Sequence, residues 1–199
     1  MKAMRDRIKI SKSQKLTDRK WLNLFDVAYA DAAGHSRSWQ VATRSSLPKC
    51  ISGKYAVPDA VIIVPYHTVE NKLVITREYR VPLADYEYGF PAGLIDGAES
   101  IEQTARRELL EETGLRLTRF LKISPPVYSS AGMTDESVAM VYAECEGKPS
   151  TAGNQSSELI EVQLVNRIQA DHLCSNPNLK FDAKAWLVLS QFAEKGNIE

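Results

Sequence analysis

Three glutamates, Glu108, Glu111 and Glu112, crowd the end of a segment whose spacing predicts a helix over about 100–113. At about 100° per residue, Glu108 and Glu112 lie about 40° apart, with Glu111 about 60° to the other side of Glu108. Like charges three and four residues apart repel by a few tenths of a kcal/mol. Ile101, Ala105 and Leu109 form the adjoining apolar stripe, which puts the glutamates at the edge of a buried face, where partial desolvation sharpens the repulsion. A hard divalent cation would offset it. Mg²⁺ takes oxygen ligands, shares carboxylates with substrate phosphates and makes water more acidic. The competing reading is a solvated acidic face tied by Glu102–Arg106 and Arg107–Glu111 pairs at i, i+4. Helix spacing alone does not separate the two.

The elements that must position this cluster are legible along the chain. Ser100 and Gln103 match a capping box, and Gly114 stands where a C-terminal glycine cap belongs. The stretch FPAGLIDG before the helix reads as a loop exposing backbone groups, with turn signals at Pro91, Gly93 and Asp96-Gly97. Strand-like runs are WLNLFDVAYAD and SRSWQVATR around a glycine turn, then AVIIVPYH and KLVITREYR, a short YEYG, RFLKISP, SVAMVYAEC and ELIEVQLV. NRIQADHL reads as a short helix. FDAKAWLVLSQFAEKG reads as a closing amphipathic helix capped by Asp182, with Trp186 assigned to the core. Residues 1–18 are polar and basic and are expected to be loosely ordered. The pattern predicts an α+β domain, helices on a mixed sheet.

Composition narrows the partners. At 199 residues, 44% of them apolar, the chain has room for one sizeable core and a small accessory element. Lys+Arg and Asp+Glu both total 25, so no overall field recruits nucleic acid or an anionic membrane. Cys50, Cys145 and Cys174 are widely spaced and odd in number, and His35, His67 and His172 are scattered, which argues against disulfides and a zinc site. No apolar run approaches a membrane span, and the expected location is the cytoplasm.

The full spacing from Gly93 resembles the signature of the Nudix hydrolases: five residues to Glu99, seven more to Arg107-Glu108-Leu109, then Glu111-Glu112, Gly114 and Leu115. Leaving aside the apolar positions Leu109 and Leu115, seven fixed residue types at roughly one in fifteen each make a chance match on the order of 10⁻⁸ per starting point. The resemblance implies the Nudix fold, an α/β/α sandwich around a mixed β-sheet. It implies water attack on phosphorus with Mg²⁺, or Mn²⁺, held by Glu108, Glu111, Glu112 and the Ala92 carbonyl. Arg107 and Glu99 would orient the glutamates and the loop, with Glu111 and Arg107 counted among the catalytic groups.

Outside this box, KWLNLFDVAYADAAGHSRSWQVATR, REYRVPLADYEYGFPAGLIDGAE and SSAGMTDE look like the ADP-ribose and ADP-sugar pyrophosphatase branch. That likeness implies a homodimer, an N-terminal β-element over 1–55 for dimerisation and nucleotide contact, and a hydrolase domain over 56–199. It carries adenine stacking to Trp21 and Trp39, base and diphosphate contacts to Arg44 and Arg80, and further substrate contacts to Gly93 and Gly132. A lone Trp at a strand position also serves simply as cover for a small core. Glu136 would be the general base, delivered by loop closure. The implied reaction splits ADP-ribose or a related ADP-sugar into AMP and a sugar phosphate. Ala131 stands where many relatives have proline, and Gly89 where a glutamate is common. These departures leave GDP-mannose, NADH or a dinucleoside polyphosphate as alternative substrates. A non-catalytic nucleotide sensor is a further alternative, although such a protein is expected to lose box glutamates, and here all are present.

Overall fold

The computed structural model describes residues 8–154 and 159–198. Contacts divide the chain into two units, one running to Asp59 and including Pro126–Val138, the other comprising Ala60–Pro125 and the chain from Ala139 onward. The N-terminal element expected over 1–55 lies in the first.

The first unit is built on a three-stranded antiparallel sheet, β1 (Lys9–Lys15), β2 (Asn23–Ala30) and β3 (Ser36–Thr43), in that order. Asp31-Ala32-Ala33-Gly34 makes the β2–β3 turn, with Gly34 at φ 86°, a conformation that favours glycine. Phe25, Val27 and Val41 form its small core, with Cys50 packed against them. A four-residue helix, α1 (Lys49–Ser52), and a two-residue strand, β9 (Val127–Tyr128), complete the unit, β9 pairing with Ser137 and Val138. The expectation of a loosely ordered residue 1–18 segment is corrected here: from Lys9 to Lys15 it is a strand, paired with β2 from Ala30 back to Phe25. Composition missed it because the strand's side chains are almost all exposed and its stability comes from the backbone ladder, which polar residues serve equally well. Residues 1–7 of that segment lie outside the described residues.

The second unit centres on β4 (Ala60–His67), β5 (Lys72–Arg80), β8 (Arg116–Ile123), β10 (Ser137–Glu146) and β11 (Ile160–Val165), ordered β11-β5-β4-β10-β8. β6 (Asp85–Gly89) pairs with β5, and β7 (Ala92–Leu94) with β4. The loop expected before the acidic helix therefore contains a strand. β4 and β5 are buried on both faces, and Val61, Ile63 and Val74 pack against Ala105 and Leu109 of helix α2 (Ile101–Thr113). Each such side chain, fully buried, contributes about 1.5–3 kcal/mol. Helix α2 starts where predicted: Ser100 Oγ accepts the Gln103 N–H at 3.2 Å, and Gln103 Oε1 accepts the Ser100 N–H at 2.8 Å. It stops at Gly114, in the left-handed region at φ 69°.

Helices α3 (Arg167–Cys174) and α4 (Ala183–Lys195) pack on each other and on β11 and β6. Asp182 caps α4 by accepting the Lys184 and Ala185 N–H groups at 2.9 and 3.1 Å. Trp186 is not core, as expected from sequence, but 42% exposed: Ala185, Val188, Leu189 and Phe192 make the buried stripe, and Trp186 falls one step off it. No described helix is long and apolar enough to cross a membrane.

Candidate active site

Arg107 gathers Glu108 and Glu111 of helix α2, and Glu99 just before it, around its guanidinium. Arg107 donates from Nε and Nη2 to both oxygens of Glu99, at 3.0 and 2.9 Å, a bidentate fork. Its Nη1 reaches Glu108 Oε1 at 2.7 Å and Glu111 Oε2 at 3.2 Å, and Nη2 also reaches the Leu94 carbonyl at 3.3 Å. Glu99 accepts once more from buried Thr104, at 3.0 Å. The Arg107 fork, and after it the Thr104 hydroxyl, hold the Glu99 carboxyl down at about 2, while Glu99, and after it Glu108 and Glu111, push the Arg107 guanidinium upward. Of the two pairs in the solvated-face reading, Arg107–Glu111 forms, whereas Arg106 turns to the Leu117 carbonyl at 2.6 Å and lies over the Phe120 ring.

The glutamates differ in exposure, as the helical wheel predicts: the Glu108 side chain is 13% exposed and that of Glu111 50%. Glu108 runs so close over Gly93 that a Cβ there would sit 1.8 Å from Oε1. The glycine is a cradle for that carboxylate. Glu112 Oε2 accepts the Ala92 N–H at 3.1 Å. Because Ile63 donates to the Pro91 carbonyl at 2.8 Å, the alternation of an antiparallel ladder turns the backbone of Ala92 away from β4, with its N–H and carbonyl on the same side as Glu112. The groups expected to hold a metal, three carboxylates and the Ala92 carbonyl, would offer oxygen alone, which suits a hard cation. Among the described residues, no three His, Cys, Asp or Glu side chains converge on one point.

Arg80 lies at the end of β5, with Nη1 2.9 Å from Glu78 Oε1 and Nε 3.7 Å from Glu87 Oε2. Burial works against its charge, but Glu78, Glu87 and Glu112 outweigh that and raise its pKa. Burial pushes the Glu87 carboxyl upward. Glu78 and Glu87 went unnoticed in the sequence, although alternate positions on paired strands signal a shared face.

In the first unit, Trp39 donates from Nε1 to the Gly132 carbonyl at 3.3 Å, and Arg44 Nε reaches Glu136 Oε1 at 2.6 Å. Trp21 is 64% exposed beneath the Lys20 ammonium, and Trp39 is 53% exposed. Trp39, Tyr29, Ile8, Ile10 and Val41 line a cavity of about 320 Å³. The loop SSAGMTDE, expected to deliver Glu136 on closure, is joined to β3 by the Ala42 N–H to the Met133 carbonyl at 2.9 Å, the Asp135 N–H to the Ala42 carbonyl at 3.4 Å, and the Trp39 and Arg44 contacts. The sequence shows none of these, since each joins residues about 90 positions apart, as with Arg44 and Glu136.

Comparison with known proteins bears on the family and the fold. The family model described as NUDIX domain matches residues 57–187, more than half of the chain. The chain is 28% identical over 191 residues to the ADP-sugar pyrophosphatase of Mus musculus, covering 89% of this chain and 84% of that protein. It is 29% identical over 130 residues to the ADP-ribose pyrophosphatase of Saccharomyces cerevisiae, covering 65% and 55% respectively. A solved structure described as a crystal structure of ADP compounds hydrolase superposes with a TM-score of 0.70 over 97% of both chains, at 19% identity.

Proposed function

Because the chain belongs to the NUDIX family and has the fold expected of it, we propose that this hydrolase splits the diphosphate of ADP-ribose or a related ADP-sugar, giving AMP and a sugar phosphate. The observation that carries the proposal is the Arg107 guanidinium, which ties Glu99 before α2 to Glu108 and Glu111 on it, while Glu112 holds the Ala92 backbone.

Glu108, Glu111, Glu112 and the Ala92 carbonyl would hold Mg²⁺, or Mn²⁺ in its place. When bound, the ion supplies charge neutralisation for the diphosphate and makes water more acidic. The chain's own groups do the rest. Arg107 fixes the direction of two carboxylates, so they need no reorganisation on binding. Glu99 anchors Arg107 from the turn before the helix, and Gly93 leaves room for Glu108. Arg80 pairs with phosphate oxygens through its guanidinium. Trp39 and Trp21 offer faces to adenine, worth about 1–3 kcal/mol per stacked base. Arg44 contacts the base, and Gly132 places its backbone at the substrate. Glu136 takes the proton from the attacking water as the P–O bond to the leaving phosphate breaks.

The exposed Ile8, Ile10, Trp21 and Leu22 support a homodimer formed through the N-terminal element, residues 1–55, with the hydrolase domain over 56–199. Three free cysteines fit a reducing cytoplasm.

The test is kcat/KM with Mg²⁺ across ADP-ribose, ADP-glucose, GDP-mannose, NADH and diadenosine polyphosphates, for wild type and Glu112→Gln. A preference for ADP-ribose or ADP-glucose, with turnover lowered at least about 100-fold in Glu112→Gln, is expected. Preference for another compound overturns the substrate, and near-normal turnover in Glu112→Gln overturns the ligand set.

A further inference from the structure

In the first unit, Lys49 is 3% exposed, at the first position of α1. Its ammonium donates to Asp59 Oδ2 at 2.6 Å and to Ser137 Oγ at 2.6 Å. Asp59 Oδ2 also accepts the Ser137 backbone N–H at 2.8 Å. The Lys49 backbone N–H donates to Asp135 Oδ2 at 2.6 Å. The two neighbours of Glu136 are therefore both fastened to one residue, Asp135 by its carboxylate and Ser137 by its hydroxyl. An apolar residue would fill the same space without the desolvation cost that a buried ammonium carries. What the ammonium adds is direction on one side of position 136, at Ser137, while the Lys49 main chain holds the other side through Asp135.

From this geometry we infer that Lys49 is a positioning residue for Glu136, an inference that rests on the reading of Glu136 as general base. A base works only within hydrogen-bond reach of the proton it removes, and small displacements lower its effectiveness steeply. Asp59 and Ser137 belong to the same device, Asp59 by holding both the ammonium and the Ser137 N–H. The Arg44 Nε–H then orients a carboxylate whose backbone is already set. Lys49 spends its ammonium on protein partners and leaves substrate affinity to other groups.

Steady-state kinetics with ADP-ribose and Mg²⁺ on Lys49→Met, Glu136→Gln and the double variant test this, with circular dichroism confirming that each is folded. The expected result is a kcat roughly 10- to 100-fold lower in Lys49→Met at unchanged KM. The same substitution should cost nothing further in the Glu136→Gln background. An equal loss in both backgrounds, or a wild-type kcat in Lys49→Met, overturns the inference. If Lys49→Met does not fold, Ser137→Ala takes its place: it removes one acceptor from the ammonium, keeps the Ser137 N–H bond to Asp59, and is held to the same non-additivity. A wild-type kcat in Glu136→Gln overturns the base assignment and the inference with it, whereas a slow Glu136→Gln with an additive Lys49→Met overturns the inference alone.

Discussion

The two units keep their functional groups in place by opposite means. In the second, the acidic helix stands on an aliphatic core in which Val61, Ile63, Val74 and Leu109 are all 0% exposed, and its polar lock is a surface feature laid over that core. In the first, the apolar core is three residues deep, and the loop carrying Glu136 is fastened by hydrogen bonds and one buried ion pair. A helix can be fixed by packing because its side chains share one face. A loop without regular structure offers no such face, so its position has to be specified bond by bond.

The largest effect should come from breaking each support in turn. Lys49→Met strands the Asp59 carboxylate and is expected to cost about 3–5 kcal/mol of unfolding free energy, while adding Asp59→Asn, which keeps an oxygen for the Ser137 N–H, restores most of it. Leu109→Ala is expected to cost about 2–5 kcal/mol, with no polar exchange able to restore it. Urea titrations of the three variants read this contrast, and a double variant no more stable than Lys49→Met would erase it.

Gly93→Ala separates geometry from stability within the second unit. The added Cβ displaces the Glu108 carboxylate, and activity should fall on the order of 100-fold. Gly93 is not among the glycines with positive φ, so the backbone accepts alanine and the urea midpoint should hold or rise slightly. A lowered midpoint with retained activity would show that the cradle serves folding.

The smallest effect is electrostatic. Arg107 lowers the Glu99 carboxyl from an ordinary 4.5 to about 2, so the stabilisation it gives is fully present above pH 4.5 and is lost as pH falls toward 2. The difference in urea midpoint between wild type and Glu99→Gln should be constant from neutral pH down to about 5 and close below 4.5. A difference independent of pH would mean that Glu99 acts through packing and not through charge.

The contrast between the units also explains what could be read from sequence. The capping box, the Gly114 stop, the Asp182 cap and most of the strands were legible because each depends on residues close together in the chain. So was the Arg107–Glu111 pair, which the i, i+4 spacing dictates, whereas the Arg107–Glu108 contact was implied by the resemblance alone. Strand β1 was missed because backbone pairing leaves no mark on exposed side chains, and Trp186 was misplaced because its position borders the buried stripe. The Lys49 network was out of reach: Lys49 and Ser137 are 88 positions apart, and a lysine ordinarily signals a surface.

Ala92 meets Glu112 through its main chain, a contact that every residue type but one carries unchanged. Proline alone lacks the amide hydrogen. A catalogue of variants scored by side-chain chemistry would therefore rank position 92 as permissive and overlook a donor of the site, and related sequences could drift freely there without disturbing it.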